Sequence, residues 1–217
     1  MDLQNTTVVG MSGSGKTTAV ILYLLNVEPE PACRFIFDDE NQNAPRLRLK
    51  PCFTEAELEA SLVGRWSVFN PERMFPPRDN DRSLYDAKRR AFRAWCKWVY
   101  EVCQRGPGKK IISIPEIWRF CTPDSIPPEF AALMQLGRSH GVHVICDTQR
   151  PELVNESVLG QTTELICFKI SPTAPEALRT IRKLAPQVPQ IEKPEWPRGQ
   201  FWSWNVLSGA TLTGRVF

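Results

Sequence analysis

The seven cysteines (33, 52, 96, 103, 121, 146 and 167) contain no CxxC pair. An odd, scattered set with several members in apolar segments reads as reduced, buried thiols in an intracellular protein rather than as a disulfide framework. Histidine is scarce. Only His140 and His143 occur, astride a helix-to-strand turn, and no Cys or carboxylate is spaced to complete a metal site with them. Long apolar runs are missing as well: the longest, Ala19 to Leu25, includes a Tyr and is far short of a membrane span. The opening MDLQNTTVVG has no basic stretch followed by an apolar core, so no secretory signal is expected. Neither sign of charge dominates. A net charge of +3, with 24% charged and 42% hydrophobic residues, is ordinary for a soluble protein, so any basic surface must be local. No internal repeat or low-complexity segment occurs. The 217 residues suffice for one well-filled domain spanning 1–217, with a core over about 5–185 and closing strands over about 199–217.

What is present is an alternation of strand and helix signals. TTVVG is a short β-branched run, followed by helical apolar spacing in KTTAVILYLLNV. CRFIFDD is a strand closed by acids. FTEAELEASLVG opens on a Thr54-x-x-Glu57 capping box and ends at Gly64, which predicts a helix. RWSVFNPE reads as a strand and PPRDNDR as a loop. Ser83 then starts the longest helical stretch, with Phe92, Trp95, Cys96, Val99 and Cys103 on one face and Lys88, Arg89, Arg90 and Arg93 around the other. IISI is a strand, and PPEFAALMQLGRSHG is a helix with Pro at its start and Gly141 after its end. VHVICDT is a buried strand. ELICFKI and FWSWNV are strands separated by the helix PEALRTIRKLA, and LSGATLTGRVF closes as a turn and strand. This order predicts a three-layer α/β fold around a mostly parallel sheet.

GMSGSGKT, Gly10 to Thr17, satisfies G-x-x-x-x-G-K-[ST] and lies between a predicted strand and a predicted helix. Glycines let the backbone curl so that successive N–H groups point at phosphate oxygens, and the helix that follows adds its positive N-terminus. The expected nucleotide contacts are Gly10, Met11, Ser12, Gly13, Ser14, Gly15, Lys16, Thr17 and Thr18. Lys16 is placed for the β- and γ-phosphates of ATP, and the Thr17 hydroxyl for Mg2+. A GTPase would carry an Asn-Lys-x-Asp guanine reader, which is absent. A kinase acting on a small molecule remains open, since Arg-rich RLRLK could close over phosphates. Two features point instead to a motor: at least two strands intervene between the phosphate loop and IISIPE, and LGRSHGVHVICDTQRPELV joins an Arg-containing helix, Gly, a buried strand and Thr-Gln-Arg-Pro.

From Thr7 to about Ile170 the chain resembles the FtsK–HerA superfamily of RecA-like phosphate-loop ATPases. In size it looks most like the genome-packaging ATPases of membrane-containing icosahedral viruses. The resemblance implies a RecA-like fold and an ATP-driven translocase pumping double-stranded DNA into a capsid. It also implies a homo-oligomeric, hexameric ring with capsid-vertex or membrane proteins as further partners, in the host cytoplasm and the virion. It implies that Gln149 senses the γ-phosphate and that Arg138 or Arg150 reaches a neighbour's ATP. The basic clusters KRR (88–90) and QRGPGKK (104–110) are either DNA-phosphate contacts or solvated faces.

The family pattern has Asp-Glu where this chain has Pro115-Glu116. Pro is tolerated at a strand end, where its missing N–H is not needed by the ladder. Glu116 either caps the strand or orients and deprotonates the attacking water. The resemblance implies that the strand ending in Asp147 lies between the phosphate-loop strand and the Glu116 strand. Asp147 then either holds Mg2+ through water in place of the missing Asp, or points away. Side-chain alternation decides between the two. An ATP-gated assembly factor with weak hydrolysis is the non-motor alternative.

Overall fold

The computed structural model describes residues 5–79, 81, 83 and 85–217, with the side chains of 136–138 also outside the description. The chain runs β1 (Thr6–Val9), α1 (Lys16–Asn26), β2 (Cys33–Phe37), α2 (Asn43–Leu47), α3 (Glu55–Ser61), β3 (Trp66–Phe69), α4 (Asp86–Gln104), β4 (Lys110–Ile114), α5 (Pro128–His140), β5 (Val142–Thr148), α6 (Glu156–Gly160), β6 (Glu164–Phe168), α7 (Pro175–Leu184), β7 (Gln200–Asn205) and β8 (Thr211–Arg215). All eight strands form one sheet in the order β3-β2-β4-β5-β1-β6-β7-β8. The first six are parallel, and β7 and β8 add antiparallel at one edge.

Parallel strands covered on both faces need apolar residues at successive positions, and alternation sends them to opposite layers. Phe35, Phe37, Ile112 and Ile114 pack with Phe92, Trp95, Cys96 and Val99 of α4 and Phe130 and Leu133 of α5. Ile36, Ile111, Ile145 and Val8 face the other way, onto Val20, Ile21 and Leu24 of α1. Val9, Leu165, Cys167 and Trp202 pack on Ala177 and Ile181 of α7. The three-layer expectation holds. Rings meet edge-on or stacked in the α4 layer, with Phe92 and Phe120 centroids 4.6 Å apart.

Local signals behave as their chemistry dictates. Thr54 Oγ1 accepts from Glu57 N at 3.2 Å, while the Glu57 carboxylate takes Phe53 N at 2.7 Å, one residue before the cap. The helix expected from Ser83 begins at Asp86, whose carboxylate accepts from both the amide and the hydroxyl of Ser83. All seven cysteines are free and buried. Helix α2 was not expected, because Pro45 lies inside it. It forms because the Asp38 carboxylate, at the end of β2, accepts the backbone N–H groups of Gln42, Asn43 and Ala44. Those donors would otherwise lack partners in the first turn. Arg46 and Leu47 of the RLRLK segment are therefore helical.

Candidate nucleotide site

The carboxyl ends of β1, β2, β4 and β5 open onto a cavity of about 410 Å³. Ligand crevices of open parallel sheets lie at this edge. The phosphate loop follows β1. Gly13 has φ 67° and Gly15 φ 117°, values that L side chains rarely adopt, and Gly15 turns the chain into α1. A Cβ on Gly15 would approach the Phe168 ring and Val216 to 3.0 Å. Lys16 is buried, and its ammonium donates to the carbonyls of Gly10 at 2.8 Å and Met11 at 3.2 Å. Burial lowers its pKa, opposed by the charges of Asp147 and Glu116. Ser14 Oγ is buried without a described partner, an orphan that a phosphate oxygen would satisfy. Thr17 and Thr18 line the cavity, and Met11 and Ser12 are exposed on the loop.

The strand order places β5 between β1 and β4, as the resemblance implied. Asp147 pairs in register with Val8. Ile145, two residues earlier, packs in the α1 layer, so alternation puts Asp147 on the face where α1 begins with Lys16 and Thr17. Its carboxylate lines the cavity; it does not point away. Burial pushes its pKa up to about 7; Lys16 opposes that rise and Glu116 adds to it.

Strand β4 ends at Ile114, in register with Cys146, so Pro115 lies just past the ladder. Glu116 then takes a left-handed conformation, φ 46° and ψ 52°, costing on the order of 1–2 kcal/mol for a residue with a Cβ. The turn swings the chain back toward β5, and Glu116 N donates to Asp147 Oδ1 at 3.3 Å. The buried Glu116 carboxylate is held on both oxygens. Oε2 accepts from Trp118 Nε1 at 2.9 Å and Gln149 N at 3.1 Å; Oε1 accepts from Gln149 Nε2 at 2.6 Å. The Glu116 side chain thus joins the end of β4 to the end of β5.

Gln149 is therefore brought to Glu116. Arg150 is exposed and packs its guanidinium over the Trp118 ring, 5.3 Å from the centroid, beside its own site. The Arg138 side chain lies outside the described residues. Its backbone is in α5 just before β5 begins, at the opposite end of the strands from the phosphate loop of the same chain.

Arg46, of the RLRLK segment, lines the cavity, and sequence reading missed several other lining residues: Asp39 and Glu40 after β2, Arg119, Arg198 and Phe217. The acids of FIFDDEN were the available signal, since neighbouring strand ends converge. Asp39 is paired with Lys88 at 2.8 Å and Arg119 at 3.4 Å, and Arg119 also pairs with Glu40. Burial raises the Asp39 pKa against these cations. Arg198 and Phe217 had no local signal, because Arg198 meets Gly13 across 185 positions.

The basic clusters have internal partners. Besides Lys88 with Asp39, Arg89 donates to the Arg119 carbonyl, Arg90 pairs with Asp81 and Arg105 with Glu59. Lys110 is buried on the carbonyls of Gly106, Gly108 and His140. His143 is buried between Thr6 Oγ1 at 2.9 Å and Tyr23 OH at 3.0 Å. Burial takes its pKa down to about 4. Among the described residues no group of three or more His, Cys, Asp or Glu is placed to hold a metal by itself.

No family model matches the chain, and no curated protein matches it in sequence. Solved structures do match. The genome packaging NTPase B204 of Sulfolobus turreted icosahedral virus 2, in complex with AMP, superposes with a TM-score of 0.65 at 19% identity, over 99% of this chain and 98% of that one. The same protein in complex with AMPPCP gives 0.65 at 18%, over 99% of each chain. VirB4 of Thermoanaerobacter pseudethanolicus gives 0.72 at 12%, over 98% of this chain and 89% of that one. The fold is that of a RecA-like phosphate-loop ATPase. Among the described residues no helix is long and apolar enough to cross a membrane.

Proposed function

We propose that this protein is an ATPase that drives nucleic acid, specifically double-stranded DNA, into a viral capsid. The observation that carries the reading is the single cavity that collects Lys16, Thr17, Asp147, Glu116 and Gln149. Lys16 would leave the Gly10 and Met11 carbonyls to donate to the β- and γ-phosphates, with the loop amides around them. Thr17, and Asp147 through water, would hold Mg2+, which supplies neutralisation of phosphate charge. Glu116 would orient the attacking water and accept its proton. Gln149 would meet the γ-phosphate, and in doing so loosen its bond to Glu116 Oε1. Support for the genome-packaging cargo comes from B204, described as a genome packaging NTPase and matched over nearly its whole length. A hexameric ring, in which Arg138 or Arg150 reaches a neighbour's ATP, belongs to the same proposal, as do capsid-vertex or membrane-protein partners and a place in the host cytoplasm and virion.

A second reading is an ATP-gated assembly factor with weak hydrolysis. One observation favours it: both Glu116 oxygens already have donors. Steady-state ATPase assays with and without duplex DNA separate the two. DNA-stimulated turnover supports the pump. Tight ATP binding with negligible, DNA-insensitive turnover supports the assembly factor, and phosphoryl transfer to a metabolite would replace both with a kinase.

A further inference from the structure

The flank of the phosphate loop away from the carboxylates is closed by two segments remote from it in sequence. Arg198 Nε donates to the Gly13 carbonyl, and Gly199 N donates to the Ser14 carbonyl at 3.0 Å. Val216 N donates to the Gly199 carbonyl at 3.0 Å, and Val216 packs against Gly15. The Phe217 ring lies on Gly199, where a Cβ would meet its edge at 2.8 Å. Arg198 and Phe217 line the same cavity as Lys16 and Thr17. Phe217 is nevertheless 58% exposed, and the terminal guanidinium nitrogens of Arg198 have no hydrogen-bond acceptor among the described residues.

A nucleotide with its outer phosphates at Lys16 and Thr17 has two directions in which to run its sugar and base. Toward β5, β4 and β2 the walls are Asp147, Glu116, Asp39 and Glu40 with Arg46 and Arg119 among them, Arg119 already paired with Asp39 and Glu40. Among the described residues that wall holds no aromatic ring for a base to stack on, and its cation Arg119 is occupied by carboxylates. Toward β7 and β8 the walls are a cation and an exposed aromatic face. Arginine binds phosphate oxygens with a fixed fork of donors, and every base has a face that stacks on an aromatic ring.

We propose that Arg198 and Phe217 form the nucleoside subsite, with Phe217 stacking on the base and Arg198 binding the phosphate nearest the sugar. The proposal rests on reading Gly10 to Thr18 as a phosphate loop. Neither residue acts on the water, so both set affinity rather than the chemical step.

Calorimetric titration of the full chain with ATP and with inorganic tripolyphosphate, both with magnesium, tests it. Wild type should bind ATP more tightly than tripolyphosphate. Phe217→Ala should weaken ATP by about tenfold and leave tripolyphosphate unchanged, and Phe217→Trp should keep ATP affinity. Arg198→Ala should weaken both ligands by roughly fivefold or more, and Arg198→Lys should restore part of the loss. Phe217→Ala weakening both ligands equally, or neither, would overturn the subsite, as would Arg198→Ala binding both like wild type. Wild type binding tripolyphosphate as tightly as ATP would also overturn it while leaving the phosphate loop intact. Wild type binding neither ligand would overturn the phosphate-loop reading and the subsite with it.

Discussion

The two flanks of the phosphate loop are built differently. On the β5 side Asp147 and Glu116 are buried and joined by a hydrogen bond from Glu116 N, and burial pushes the Asp147 pKa up. On the β7 side Arg198 and Phe217 are exposed, held by a few main-chain contacts. Proton transfer and metal binding need groups fixed in a dry setting where small changes in charge matter, whereas base stacking needs an open face. On the function and subsite proposed above, chemistry belongs to one flank and ligand capture to the other.

The loop serves both flanks, so its loss should have the largest effect. Lys16→Ala should weaken ATP binding by roughly a hundredfold or more, since it removes the buried cation that neutralises the outer phosphates. Calorimetry checks this, and unchanged affinity would mean that the loop is misassigned. On the carboxylate flank alone, Glu116→Gln should lower turnover by roughly a hundredfold while keeping fold and ATP affinity, the scale of a general-base contribution.

A smaller effect should come from Trp118→Phe, which keeps the ring but removes the N–H bonded to Glu116 Oε2. If that bond positions the carboxylate, steady-state turnover falls by roughly fivefold, as for one hydrogen bond to a charged group. A rise in turnover would mean instead that the bond is a brake, as the assembly-factor reading requires.

A further effect, on a different scale from turnover, is on stability. The Asp147 pKa is raised to about 7 in the fold against an ordinary value of 3.8. The folded state therefore binds the extra proton, and its stabilisation is present below about pH 4 and lost as pH rises through 7. Asp147→Asn should raise nucleotide-free stability by about 1–3 kcal/mol at pH 8 and change it little near pH 4, by urea denaturation. The same variant should need more magnesium for turnover. Pro115→Asp in that background should recover part of the loss, because the two positions lie at adjacent strand ends beside Thr17.

How far the site could be read from the sequence follows the same division. The strand–loop–helix of Gly10 to Thr18 is local, and both it and the strands ending at Ile114 and Thr148 follow from short-range patterns. The direction of the Asp147 side chain needed one further fact, that Ile145 faces α1, which only the packed layers supply. Helix α2 escaped notice because its first turn is capped from outside by Asp38, overriding the Pro45 signal. The double hold on Glu116 depends on its left-handed turn, and nothing in Pro115-Glu116 announces that conformation. Arg198 lies just before β7 and Phe217 just after β8, so it is the pairing of those two strands at the sheet edge that brings both beside the loop.

The most direct test of the division between flanks is the split between kcat and KM for ATP hydrolysis in Glu116→Gln and Phe217→Ala, measured side by side. The account predicts that kcat collapses with KM held in the first, and that KM rises about tenfold with kcat held in the second. A fall in kcat in Phe217→Ala matching that in Glu116→Gln, or full kcat in Glu116→Gln, would contradict it.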